Sequence, residues 1–362
     1  DGPELQAGAM VTDTDNGTIL AAVGNRDSSS PGFNRAIEAK RPIGSLIKPF
    51  VYMLALAKPE QWSLSSWLSD EEITVTTEDG KKWQPKNSDR KSHGMVTLSS
   101  ALARSYNQAT VRLGMQMGTG RLVDLVYEIK EKKVTANPSL LLGSADMSVY
   151  SVTQLYQFLA SGGRVQPLHA VLGVLDAQGK VLNRYEVKPT KAQKGDAIAA
   201  RLVSIAMQQT VTSGTARALL SDGLGDLQSA GKTGTSNDSR DSWYAGFTGD
   251  HLTVVWVGND KNEPTGLYGA TGGMRVWSNL YKRLPTRPLI VSGEGLEWTY
   301  LDQAQFATTD EFCLGARRAV FVAGYLPTEA VSCGDKPAES NSWMDWITDK
   351  FSGNQEDNSD SE

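Results

Sequence analysis

Up to residue 259 the chain carries its strand signals at its two ends and its helical signals between them. Residues 7–23, AGAMVTDTDNGTILAAV, set two apolar segments around Asp15-Asn16-Gly17, which predicts a β-hairpin with a type I′ turn. Near the other end, LQSAGKTGTS (227–236), DSWYAGFTG (241–249) and HLTVVWVGN (251–259) read as strands, the last two paired about a Gly-Asp turn. Helices are predicted over 45–58, 149–160 and 196–210, with a helix, short loop and helix over 97–117 that breaks near Ser105. The helix at 45–58 is apolar nearly all round and so belongs in the interior. Segregated rather than alternating elements predict an α+β fold, with an antiparallel sheet whose first and last strands come from opposite ends of the chain.

After about residue 290 the texture changes. Short strands surround Cys313 and Cys333, and GDKPAESNS, WMDWITDKF and the acidic QEDNSDSE follow. Three parts are expected: 1–292, a small β element over 293–335, and a tail over 336–362 whose acidic end has a disordered composition. In the tail, Trp343, Met344, Ile347 and Phe351 share one helical face between Ser342 and Gly353. Such a helix either docks on a partner or membrane surface or folds back on its own domain. The two cysteines fit either a hairpin-closing disulfide or two free thiols.

Charge and hydropathy narrow the classes. A net charge of −5 with no basic cluster argues against a nucleic-acid partner. Apolar runs such as FVYMLALA (50–57) fall well short of the roughly 20 residues of a membrane span. The chain opens directly on a strand without a leader, which predicts a piece of something longer.

Chemistry narrows them further. His93, His169 and His251 are scattered, in no metal-like spacing, and read as ordinary loop or surface histidines; no metal or other cofactor is expected. There is no G-x-S-x-G elbow and no Gly-rich phosphate loop. A serine enzyme here therefore needs a base other than histidine. Ser45-x-x-Lys48, in RPIGSLIKPF (41–50), supplies one, although Ser88/Lys91 and Ser229/Lys232 share the spacing. Pro49 is tolerated only in a first helical turn, so it places Ser45 and Lys48 on one face at a helix N-terminus. To act as base, Lys48 must be neutral, which needs a shift of roughly 3 to 4 units, on the order of 4 to 5 kcal/mol. Taken alone, Ser45 as an N-cap beside a solvated lysine is the simpler reading.

Two downstream elements change that balance. Ser105-Tyr106-Asn107 lies in the predicted interhelical loop, and Lys232-Thr233-Gly234-Thr235 lies on a predicted strand. In this order the three resemble the signature motifs of penicillin-binding proteins and serine β-lactamases. With LLLGSADMSVYSVTQLYQFLASGG (140–163), TSGTAR (212–217), DSWYAGFTG and LYGATGGM (267–274), the chain over residues 5–335 resembles the transpeptidase half of class A, bifunctional penicillin-binding proteins of the 1b type.

The resemblance implies an antiparallel sheet with helices on both sides in the transpeptidase domain, and pairs Cys313 with Cys333 in the small C-terminal β element. It makes Ser45 the acylated nucleophile of a DD-transpeptidase and Lys48 its general base. Ser105 would relay a proton to the departing D-alanine, and Asn107 would hydrogen-bond Lys48 and the substrate peptide. Lys232 would raise the local positive potential and, with the Thr233 and Thr235 hydroxyls, receive the substrate carboxylate. The backbone N–H groups of Ser45 and Thr235 would form the oxyanion hole. Gly231 and Gly234 would let a substrate peptide approach an edge strand closely; the plain alternative is a bulge.

Partners implied by the same resemblance are peptidoglycan stem peptides, β-lactams, an outer-membrane lipoprotein activator, and division and elongation proteins. The location implied is the periplasmic face of a bacterial inner membrane, with the anchor and a glycosyltransferase domain preceding residue 1.

Close rivals are a DD-carboxypeptidase and a serine β-lactamase. Class A lactamases use a glutamate in E-x-x-x-N, and none of Glu128, Glu131 and Glu186 has asparagine four residues on; Tyr106 stands where that class usually has aspartate. A receptor for muropeptides or β-lactams, or a scaffold, is the rival from another class. It need not keep nucleophile and base.

Overall fold

Strand β1 (Gln6–Asp13) turns Gly8, Met10 and Thr12 inward, and β2 (Ile19–Val23) folds back beside it. These belong to a computed structural model that describes residues 4–27, 32–77, 80–130, 134–187 and 194–333. The predicted tail helix at 342–353 lies outside the described residues.

The hairpin is present but its turn is not type I′. That turn needs positive φ at both central residues, and in this loop only Gly17 has it, at 76°. The Asp13 carboxylate instead accepts the N–H groups of Asp15 and Asn16, and Gly17 N–H donates to Asp13 O, so the loop is longer and built on an Asx turn.

Strands β3 (Ala230–Thr235), β4 (Ser242–Phe247) and β5 (His251–Gly258) complete an antiparallel sheet ordered β3-β4-β5-β1-β2. The first strand therefore pairs with the last across the whole unit, as the segregated signals predict. Every residue of β4 is buried, because helices cover both faces. On one face α5 (Val149–Ala160) packs, with α1 (Lys48–Leu56) farther inside among the helices, and Thr12 Oγ1 donates to Gln157 Oε1 of α5 at 2.7 Å. On the other, α7 (Gly273–Tyr281) lays Trp277 edge-on to Tyr244, with ring centroids 5.4 Å apart.

Four further helices belong to the same unit: α2 (Leu98–Arg104), α3 (Asn107–Met117), α4 (Thr119–Lys130) and α6 (Lys194–Thr212). Helix α1 sits among α3, α4 and α6, and eight of its nine residues are buried, which explains the apolar run.

The chain divides into two compact units at residues 294 and 295. In the second, β6 (Leu296–Asp302) lies between β7 (Ala307–Thr309) and β8 (Ala316–Val322) over a small core of Leu301, Ala319 and Phe321. Cys313 and Cys333 are joined by a disulfide there. Among the described residues no helix is long and apolar enough to cross a membrane.

Candidate active site

The helix that carries the first motif starts with a 3-10 turn, Gly44–Ile47, before α1 begins at Lys48 with Pro49 next to it. Ser45 is inside that turn and is not its cap; Ile43 holds the N-cap position, without a side-chain bond. Residues i and i+3 of a 3-10 turn eclipse, so Ser45 and Lys48 share a face. Lys48 is fully buried, and Ser45 is only partly so.

Lys48 Nζ makes three hydrogen bonds, none of them to Ser45. It donates to Ser105 O at 2.6 Å, to Asn107 Oδ1 at 2.6 Å and to Ser105 Oγ at 3.3 Å. Ser105 closes α2 in the left-handed region, with φ 61° and ψ 39°. That conformation turns the chain from α2 into α3 within two residues, so carbonyl, hydroxyl and amide of one short loop all face Lys48. A non-glycine residue held there is strained, and such strain clusters at functional sites.

Strand β3 supplies the third motif. Its period of two puts Lys232 and Gly234, opposite Ala245 and Trp243, on one face, and Thr233 and Thr235, opposite Tyr244 and Ser242, on the other. Lys232 Nζ donates to Ser105 Oγ at 2.8 Å and to Thr233 O at 3.1 Å. The candidate catalytic residues Lys48, Ser105, Asn107 and Lys232 are thus one hydrogen-bonded cluster, at the end of the turn that holds Ser45.

Electrostatics follow from that burial. Both lysines are fully buried. Burial first, then the Lys232 charge, pushes the Lys48 ammonium well below its ordinary range, against a smaller upward pull from Asp70. Lys232 is brought down to about 7 by burial. Two ammonium groups sharing one hydroxyl repel, and because burial and the Lys232 charge both lower the Lys48 pKa, Lys48 is the lysine that gives up its proton more readily. Ser105 then accepts from Lys232 and can donate to the Lys48 lone pair.

Gly231 and Gly234 are glycine for a reason other than the expected one. A Cβ on Gly234 would lie 2.7 Å from Ile43 O and 2.9 Å from Leu46 Cγ, and one on Gly231 would lie 2.1 Å from the Tyr244 hydroxyl. The missing side chains make room for the protein's own turn and ring, not for an approaching peptide. Strand β3 is nevertheless at the sheet edge, so its outer side is open to pairing.

Gly44 has φ 54°, and a Cβ there would come 2.4 Å from Thr235 O and 3.1 Å from Thr235 N. This close approach brings the backbones of Ser45 and Thr235, the two expected oxyanion donors, side by side. Thr235 Oγ1 accepts from Gly269 N–H at 3.0 Å, and Thr233 Oγ1, nearly buried, pairs with Thr215 Oγ1 at 2.8 Å. Thr235 is the more open of the two hydroxyls.

Sequence reasoning missed the polar set behind Asn107. His93, expected to be an ordinary loop residue, has Nδ1 at 2.7 Å from buried Asp70 and Nε2 at 3.0 Å from Asp89, and stacks on Tyr106 with centroids 4.0 Å apart. Asn87 joins the same set. The only signal was a polar loop, NSDRKSH, too far along the chain from Asp70 to reveal a pairing. Among the described residues the one cluster with metal-ligand types is Asp310, Cys313 and Cys333, whose sulfurs are bonded to each other.

Comparison with known proteins agrees with this arrangement. Residues 7–273 match the penicillin binding protein transpeptidase domain. Penicillin-binding protein 1B of Vibrio cholerae is 41% identical over 82% of this chain and 38% of its own length. That of Escherichia coli is 38% identical over 79% and 34%. The chain thus spans well under half the length of these relatives. A crystal structure of penicillin-binding protein 1A from Haemophilus influenzae superposes with a TM-score of 0.78 at 25% identity, covering 90% of this chain and 54% of that one. With a motif order, a sheet topology and a domain match that coincide, the chain belongs to the penicillin-binding protein transpeptidase family, among proteins of the 1B type.

Proposed function

We propose that the domain is a DD-transpeptidase that cross-links peptidoglycan stem peptides and is trapped by β-lactams. The observation that carries this reading is the convergence of two buried lysines on the Ser105 hydroxyl, one turn from Ser45. A pure binding module has no need of a neutral lysine beside a serine.

In the first step Ser45 Oγ attacks the carbonyl carbon of the penultimate D-alanine. Its proton passes to Lys48 Nζ, the C–N bond breaks, and Ser105 relays a proton to the departing D-alanine nitrogen. Oxyanion charge falls on the Ser45 and Thr235 backbone N–H groups. Lys232 and Thr235 receive the substrate's terminal carboxylate, with Thr233 and Thr215 behind them. In the second step an amine from a neighbouring stem peptide attacks the ester carbon. Lys48 takes its proton and returns one to Ser45 as the C–O bond breaks. Asn107 keeps Lys48 in place throughout.

A membrane anchor and a glycosyltransferase domain ahead of residue 1 are part of the same reading, as are a periplasmic site, an outer-membrane lipoprotein activator, and division and elongation partners. The test is intact-protein mass after penicillin, beside Ser45→Ala. The expected result is one lasting adduct per wild-type chain and none on the variant, with turnover of a D-Ala-D-Ala-like thioester onto a D-amino acid. An adduct that survives in Ser45→Ala, or adduct without transfer, overturns the transpeptidase reading.

A further inference from the structure

Asn107 is held at two points by a loop that none of the three motifs includes. Its backbone N–H donates to Asn87 Oδ1 at 2.6 Å, and the next N–H, of Gln108, donates to the same oxygen at 3.2 Å. These are orphan donors of the first turn of α3, and Tyr106 at the N-cap makes no side-chain bond to them. Asn87 caps the helix from outside. Its own amide donates to Asp70 Oδ2 at 2.6 Å and to Lys91 O at 2.8 Å. The other Asp70 oxygen accepts Ala109 N–H at 2.9 Å. Finally, Asn107 Nδ2 donates to Lys86 O at 2.7 Å. That bond decides which end of the amide faces Lys48: the oxygen.

We infer that Asn87, seated on the buried carboxylate of Asp70, is a positioning residue that aims the Asn107 carboxamide oxygen at Lys48. The inference rests on the proposed roles of Asn107 and Lys48. Asn87 and Asp70 bond the backbone N–H groups of Asn107, Gln108 and Ala109 and make no bond to Ser45, Lys48 or Lys232; they act through Asn107. Removing the Asn87 amide would take their acceptor from the N–H groups of Asn107 and Gln108, which fixes the loop firmly. His93, bonded to Asp70 and stacked on Tyr106, closes the same set.

The consequence for Lys48 has a sign. An oxygen at 2.6 Å that accepts from Lys48 favours its ammonium form. Facing the same amine are the Lys232 charge, which opposes that form, and the more distant Asp70, which favours it. A loosened Asn107 therefore lets Lys48 stay neutral to lower pH.

The test is a double-mutant cycle on the full chain, read as the second-order rate of acylation by a fluorescent penicillin from pH 6 to 10. Rates are normalised to the fraction of chains that acylate in the end. Asn87→Ala and Asn107→Ala are each expected to slow acylation tenfold or more. The double variant is expected to be within threefold of Asn107→Ala, because both remove one interaction. The acid limb of Asn87→Ala moves to lower pH. Multiplicative losses, or a uniform fall with an unmoved acid limb, overturn the inference. Where Asn87→Ala fails to fold, Asp70→Asn replaces it in the rate cycle alone, with multiplicative losses again the contrary result, because the Asp70 charge acts on Lys48 directly. Should Asn107→Ala acylate at the wild-type rate, the role proposed for Asn107 falls, and the inference with it.

Discussion

Lys48 and Lys232, both without exposed surface, reach the same Ser105 hydroxyl from α1 and from β3. The pairing makes each lysine part of the other's environment. In its proposed role as base Lys48 must be neutral, and the Lys232 charge is one cause of its lowered pKa. Removing that charge in Lys232→Met raises the Lys48 pKa, so protonation sets in at higher pH. The acid limb of penicillin acylation is expected to move to higher pH, and the plateau to fall by about two orders of magnitude as an electrostatic donor is lost. A pH profile of the acylation rate checks both; a limb that stays or moves down contradicts the pairing.

Burial of Lys232 has an opposite effect on stability. Its folded pKa lies near 7 against about 10.4 in the unfolded chain. Between these values the unfolded state binds more protons, so this group's contribution to stability rises with pH across that window and flattens below it. Lys232→Met is therefore expected to stabilise the domain at pH 7 by a few kcal/mol while removing activity, and to gain less at pH 10. Thermal melts of both proteins at the two pH values are the measurement. A variant less stable than wild type at pH 7 would show that the hydrogen bonds of Lys232 outweigh its desolvation.

Much of this site was legible because the rules involved are local. Pro49 fixed where a helix starts, and Lys232–Thr235 was legible as strand. The segregated strands anticipated the β1 to β5 pairing. What escaped was set by contacts between distant segments. Gly234 read as an opening for substrate, since no local pattern says that Ile43 and Leu46 pack above it. Asn87 and His93 sit in a loop of turn-forming residues, and their partner Asp70 lies well upstream. The hairpin turn was misjudged because Asn-Gly favours type I′, while Asp13 offers a competing Asx turn.

Gly44 tests whether the Ser45 backbone depends on Thr235. Alanine there meets φ 54° and a carbonyl oxygen 2.4 Å from its Cβ, so either the turn or β3 must shift. Strain and overpacking together are expected to cost about 2 to 4 kcal/mol. Because the shift separates the two proposed oxyanion donors, acylation is expected to fall about 100-fold in chains that remain folded. Melting temperature and acylation rate, measured on the same Gly44→Ala sample, separate the two effects; a folded variant with wild-type acylation would remove the oxyanion role of this contact.

The disulfide gives the complementary prediction, a large local effect with no chemical one. Cys313 and Cys333 enclose a loop of about 20 residues in the second unit, where β8 and the small core of Leu301, Ala319 and Phe321 lie. Loop-closure entropy alone assigns the cross-link about 3 kcal/mol. Among the described residues this three-stranded sheet has a small buried core to hold it. Every residue of the acylation site lies in the first unit. Cys313→Ser with Cys333→Ser is therefore expected to raise amide exchange throughout β6, β7 and β8, while penicillin acylates Ser45 at a rate within twofold of wild type. Exchange confined to the loop, or a matching loss of acylation, contradicts the independence of the two units.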